Sequence, residues 1–168
     1  VRVRGARTPR AFSRTVSTRP SPGVAAGILA SRGDVWFSCI PDLWKFTEPA
    51  RSTNSSAATN LSGAQLQTAN AKKLIRSGLG VHTGVSGHDA HGVTPGPDGK
   101  IYFSIGDRGI EPPPDIRGFG FTREFLQRVL PDTGAVFRCN PDGSEFEVFC
   151  IGLRNPQELA FDALGNLF

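Results

Sequence analysis

Gly96-Pro97-Asp98-Gly99-Lys100-Ile101-Tyr102-Phe103-Ser104-Ile105-Gly106-Asp107 is the stretch that decides the fold. Pro97 fixes its own φ and Gly99 tolerates the left-handed conformation, so residues 96–100 read as a tight turn. The five residues that follow are β-branched or aromatic apart from one Ser, the composition of a strand. The same grammar recurs along the chain. Arg32-Gly33-Asp34 turns into Val35-Trp36-Phe37-Ser38-Cys39-Ile40, and Asn140-Pro141-Asp142-Gly143-Ser144 leads to Phe146-Glu147-Val148-Phe149-Cys150. Asp162-Ala163-Leu164-Gly165-Asn166 turns into Leu167-Phe168. Val35, Ile101 and Leu167 thus begin strands at equal intervals of 66 residues.

Repeated turn–strand units without long helices between them predict an all-β chain, and favour a β-propeller over a sandwich. A blade takes four strands, so 168 residues supply about two to three blades, an incomplete ring. The absence of Met and a final strand broken at Phe168 fit a piece of a larger ring. Two insertions interrupt the pattern. Residues 49–71 are rich in Ser, Thr, Asn and Ala and read as a solvated loop, with formal glycosylation sequons at Asn54 and Asn60. Glu111-Pro112-Pro113-Pro114 opens the other, which is expected to carry a helix from Thr122 to Leu130 with Thr122 as N-cap.

Gly (20) and Pro (13) make about a fifth of the chain, short of the level that signals low complexity. No run approaches the roughly 18 apolar residues of a spanning helix, so no membrane span is expected. The net charge of +4 suggests a nucleic-acid or anionic-surface binder, but its distribution does not. Six arginines (Arg2, Arg4, Arg7, Arg10, Arg14 and Arg19) lie in the first twenty residues, which hold no acid. The rest of the chain carries 13 basic against 15 acidic residues. Residues 1–20 therefore read as a basic, disordered arm, residues 21–168 as the propeller part, and nucleic acid is not an expected partner. Residues 23–30 imitate the apolar core of a signal peptide, but the run is short and contains two glycines.

Cys39, Cys139 and Cys150 form no C-x-x-C or C-x-x-C-H motif, which removes zinc ribbons, dithiol redox sites and c-type haem attachment within this chain. Cys139 and Cys150 can pair only if their strands are neighbours; an odd count favours buried free thiols.

The densest polar cluster is Gly87-His88-Asp89-Ala90-His91-Gly92. His88-x-x-His91 is half a metal site, but no third ligand stands at a convincing spacing, so no metal is assigned. A general-base His needs a carboxylate to fix its tautomer and stabilise the imidazolium, and Asp107 is the candidate. Equally, Asp107 can serve only to cap a Gly turn. The second cluster is Gly152-Leu153-Arg154-Asn155-Pro156-Gln157, where Arg154 is suited to an anionic oxygen and equally to loop carbonyls. Pro156 holds Asn155 extended.

These residues carry a resemblance. His88, the run from Gly96 to Gly109, and Arg154-Asn155-Pro156-Gln157-Glu158-Leu159-Ala160-Phe161 resemble, in order and local spacing, the glucose/sorbosone dehydrogenase family. Members are six-bladed propellers that oxidise sugars with pyrroloquinoline quinone. Cys39-Ile40-Pro41-Asp42-Leu43-Trp44-Lys45 and Phe137-Arg138-Cys139-Asn140-Pro141-Asp142-Gly143 look like a subgroup of membrane-bound dehydrogenases often fused to c-type haem domains. The resemblance implies a secreted or periplasmic protein acting on a sugar or related alcohol, with a c-type haem domain or cytochrome as electron acceptor. His88 would be the base and Asp107 its orienting partner; Arg154 and Asn155 would contact the quinone. Calcium would be held by ligands outside this chain. Two departures stand out: His91-Gly92-Val93 occupies the place of a Gly and an Arg-Leu pair, and Thr47-Glu48-Pro49-Ala50-Arg51 holds too few carboxylates for a calcium loop. The rival readings are a propeller that only binds a partner, and a metal-dependent propeller hydrolase such as a lactonase.

Overall fold

A computed structural model describes residues 24–47, 71–80 and 87–168. The basic arm, both sequons and the segment from Glu48 to Arg51 lie outside the described residues. Four strands, β1 (Val24–Ser31), β2 (Asp34–Ile40), β3 (Asp42–Thr47) and β4 (Ala71–Arg76), pair antiparallel in chain order. The run that imitates a signal-peptide core forms β1 and pairs with β2. A second antiparallel meander follows from β5 (Ala90–Pro95) through β6 (Ile101–Ile105) and β8 (Gly134–Cys139) to β9 (Glu147–Leu153). The two-residue β7 (Arg117–Gly118) lies parallel to β9 at its edge. Among the described residues the fold is all-β, with two open sheets and one short α-helix.

That helix, α1 (Arg123–Val129), sits where Thr122 predicts it: Phe125 N–H donates to Thr122 Oγ1 at 3.2 Å. Leu126 on α1 and Leu130 just after it are fully buried, which seats the insertion on the second sheet's core. No helix among the described residues is long and apolar enough to cross a membrane.

Three turns share one geometry. In 96–100, 140–144 and 162–166 the first residue's N–H donates to the fifth residue's carbonyl, and the fourth residue's N–H donates to the first residue's carbonyl. The fourth residue is Gly99, Gly143 or Gly165, each with φ between 81° and 86°. That left-handed conformation strains any residue with a Cβ, so glycine is required there. The register also accounts for the 66-residue interval. Val35 pairs with Ala30, Ile101 with Pro95 and Leu167 with Phe161, so each pairs back across the turn that precedes it.

The sheets stack through faces set by strand alternation. Trp36 and Ile40 from β2 join one buried cluster with Ile101, Phe103 and Ile105 from β6. Phe103, Phe137 and Phe146 stack with centroids 5.3–5.7 Å apart. On β6's other face, Tyr102 meets Phe149 and Phe161 edge-on. At one end β5 packs against β1, where a Cβ on Gly27 would lie 3.2 Å from the His91 carbonyl oxygen. At the other end, Lys45 and Lys73 donate to the Pro141 and Asp142 carbonyls, and Arg76 grips Asp115 through two hydrogen bonds while lying over Phe146. The three cysteines are free thiols; burial pushes Cys139 up to about 12, which keeps it protonated and inert.

Candidate functional site

The two hairpin turns of the second sheet, 96–100 and 140–144, lie at one end of its strands, and the chemistry-bearing residues lie at the other. β5 begins just after His88, β6 runs out into Gly106-Asp107, and β9 ends at Leu153, followed by Arg154 and Asn155. Backbone hydrogen bonds stitch these three segments together beyond the ladder. Gly106 N–H donates to Asp89 O (3.0 Å), Arg108 N–H to His88 O (3.3 Å) and Asp107 N–H to Arg154 O (2.7 Å). Gly92 N–H on β5 also donates to Gln157 O at 2.9 Å.

Within this frame His88 Nδ1 lies 2.5 Å from Asp107 Oδ1, with the side chains 19% and 35% exposed. The hydrogen bond from His88 holds the Asp107 carboxyl below the usual carboxylate range, with the nearby charges of His88 and Arg154 adding to that. An ionised Asp107 only accepts, so Nδ1 of His88 carries a proton; when the imidazole is neutral, the lone pair is on Nε2, on the other side of the ring from the carboxylate. That is the arrangement of a general base with a fixed tautomer.

The Arg154 side chain is exposed and makes no hydrogen bond or ion pair among the described residues; none of their loop carbonyls holds its guanidinium. It is the backbone carbonyl of Arg154 that supports Asp107. Asn155 Oδ1 is buried with no hydrogen-bond partner among the described residues. The four residues singled out in the sequence thus converge on one rim. Among the described residues no group of three or more His, Cys, Asp or Glu is placed to hold a metal.

Three parts of the site escaped the sequence reading. Gly106 is a contact point: a Cβ there would meet His88 O at 2.5 Å and Asn155 Oδ1 at 2.6 Å. Gly109, with φ 78°, lies against Pro131, so the turn at the end of α1 abuts the Asp107 loop. Asp89 is fully buried, its carboxyl against Gly80, where a Cβ would come within 2.7 Å of Oδ1. Only the density of glycines around the polar residues signalled such close approaches. No protein-family model matches the chain and no curated protein matches it.

Proposed function

We propose that the chain is part of a quinone-dependent dehydrogenase of sugars or related alcohols, with the two sheets as successive blades of a six-bladed propeller. The observation that carries the reading is the 2.5 Å contact between His88 Nδ1 and Asp107 Oδ1, on the rim that also presents Arg154 and Asn155. Two meanders in succession, stacked through corresponding strands, and a third hairpin at the same 66-residue interval support the propeller.

The residues fit the quinone. Pyrroloquinoline quinone is a planar polycarboxylate with ring N–H and carbonyl groups. Arg154, with no ion pair among the described residues, suits a carboxylate or quinone oxygen, and the buried Oδ1 of Asn155 suits an N–H donor. When bound, the quinone supplies the two-electron acceptor. His88 Nε2 takes the substrate hydroxyl proton, and Asp107 keeps the ring oriented and offsets the imidazolium charge. Arg154 offsets negative charge where the oxygen loses its proton. Calcium enters through ligands outside this chain. A c-type haem domain or cytochrome takes up the electrons, and the reading places the protein in the periplasm or outside the cell.

The test is to reconstitute the full gene product with quinone and calcium and to follow dye reduction over a panel of sugars and alcohols. The expected result is turnover that falls by about 10²–10⁴ in His88→Ala. No turnover in the wild type, or the same turnover in His88→Ala, sinks the proposal.

A further inference from the structure

We infer that His91 is a positioning residue for His88, acting through a hydrogen bond to the backbone carbonyl of Gly87. Its effect on turnover rests on the dehydrogenase reading; its effect on the His88 ring does not.

The segment that delivers His88 to the rim presents three consecutive carbonyls, each of which accepts one hydrogen bond. Asp89 O is held by Gly106 N–H and His88 O by Arg108 N–H, both from the chain leaving β6. Gly87 O is held at 2.7 Å by Nε2 of His91, three residues beyond His88. The first two bonds draw the segment toward Asp107. The third closes it from the upstream side.

Nothing else among the described residues anchors Gly87. It is exposed, its φ is 64°, and a Cβ there would meet none of the described residues within 4 Å, so their packing does not restrain it. Glycine is also the residue with the most backbone freedom. Without the His91 bond, both torsions of Gly87 can relax, and His88 follows them directly. A 2.5 Å contact between Nδ1 and Asp107 tolerates little such movement, because hydrogen bonds weaken steeply with misalignment.

The anchor itself is firmly placed. His91 stands on β5, its carbonyl against Gly27 of β1, and the next residue, Gly92, donates to Gln157 O. A carbonyl only accepts, so Nε2 of His91 is the donor in this bond. Nδ1 of His88 lies on Asp107 and Nε2 of His91 on Gly87, so one hydrogen bond fixes each ring of the His88-x-x-His91 pair.

The experiment compares His91→Gln, which keeps an N–H donor of similar reach, with His91→Leu, which has none. The first readout is ¹⁵N NMR of the imidazole nitrogens in the histidine-labelled full-length protein. Wild type and His91→Gln are expected to show His88 in a single tautomer protonated at Nδ1. His91→Leu is expected to show a mixture of tautomers. Should His91→Leu fail to fold, His91→Ser, too short to reach Gly87, takes its place. The second readout is steady-state dye reduction, where His91→Leu is expected to lower kcat about ten-fold with KM nearly unchanged, and His91→Gln to restore most of it. An unaltered His88 tautomer in the variants without a donor overturns the inference. A wild type without dye reduction overturns the dehydrogenase reading instead, and the tautomer comparison still decides the role of His91.

Discussion

At the scale of the residue, the site depends on atoms that are missing as much as on those present. Gly106 lets β6 pass between the His88 carbonyl and the Asn155 amide, and a single methyl group there collides with both. Gly106→Ala is expected to cost about 1–3 kcal/mol and to break the His88–Asp107 hydrogen bond, checked by denaturant melts and histidine NMR. Asp107 gives the complementary prediction. Its carboxyl titrates below the usual range in the folded protein, mainly because His88 bonds it. A depressed carboxylate contributes stability above the ordinary carboxylate range and loses it as pH falls through the lower, folded-state value. Asp107→Asn is therefore expected to melt below the wild type near neutrality and to converge with it in acid. Melting curves that run parallel down to strongly acid pH would refute this. Both residues were legible in the sequence, as a His and an Asp at opposite ends of a turn–strand unit. The glycines were legible only as turn formers, because what they approach depends on a partner strand about 50 residues away.

At the scale of the element, local chemistry was read most faithfully where it is self-contained. The turns at 96–100, 140–144 and 162–166 close on their own backbone, and Thr122 caps α1 without help from elsewhere. Thr122→Ala is expected to cost about 1 kcal/mol in urea unfolding, without altering the second sheet's core. An effect below a few tenths of that would mean that packing of Leu126 and Leu130 alone holds the helix. β4 was not legible. Ala71-Lys72-Lys73-Leu74-Ile75-Arg76 carries three basic residues and no clean alternation, and its strand character comes from partners. Lys72 lies over the Trp44 ring at 4.0 Å, Lys73 reaches the Asp142 carbonyl, and Ile75 meets Gly143. β7 is shorter still, two residues defined only by the edge of β9.

At the scale of the whole molecule, the two sheets are joined by an apolar interior and by polar clasps at its margin. Arg76 performs both tasks, with its guanidinium over Phe146 and its fork on Asp115, whose carboxyl it holds below the usual range. Arg76→Leu keeps the apolar stem and removes the clasp. Because Asp115 is well exposed, the loss is expected to be modest, about 1 kcal/mol. Its signature is that amide exchange quickens in β4 and around Asp115 together; exchange that quickens in one sheet only would count against a shared clasp. The all-β class was legible in the recurring turn–strand units. Which face of each strand meets its neighbour was not, because strands such as Ile101–Ile105 are buried on both sides and carry no alternation.

The strands that separate the turns from the site also act as an electrical spacer. Lys100, Arg138, Glu145, Glu147 and Asp98 are meshed near the turns, while His88 and Asp107 stand beyond the far end of β5 and β6. Five residues of strand span about 17 Å, roughly twice the Debye length at physiological salt. The charge pattern at the turns can therefore be rewritten without disturbing the His88–Asp107 pair at the opposite rim. Lys100→Gln is expected to change stability and leave the His88–Asp107 hydrogen bond, followed by histidine NMR, as it was. A molecule wired this way has one end free to adapt its surface to new surroundings while the other keeps its geometry constant.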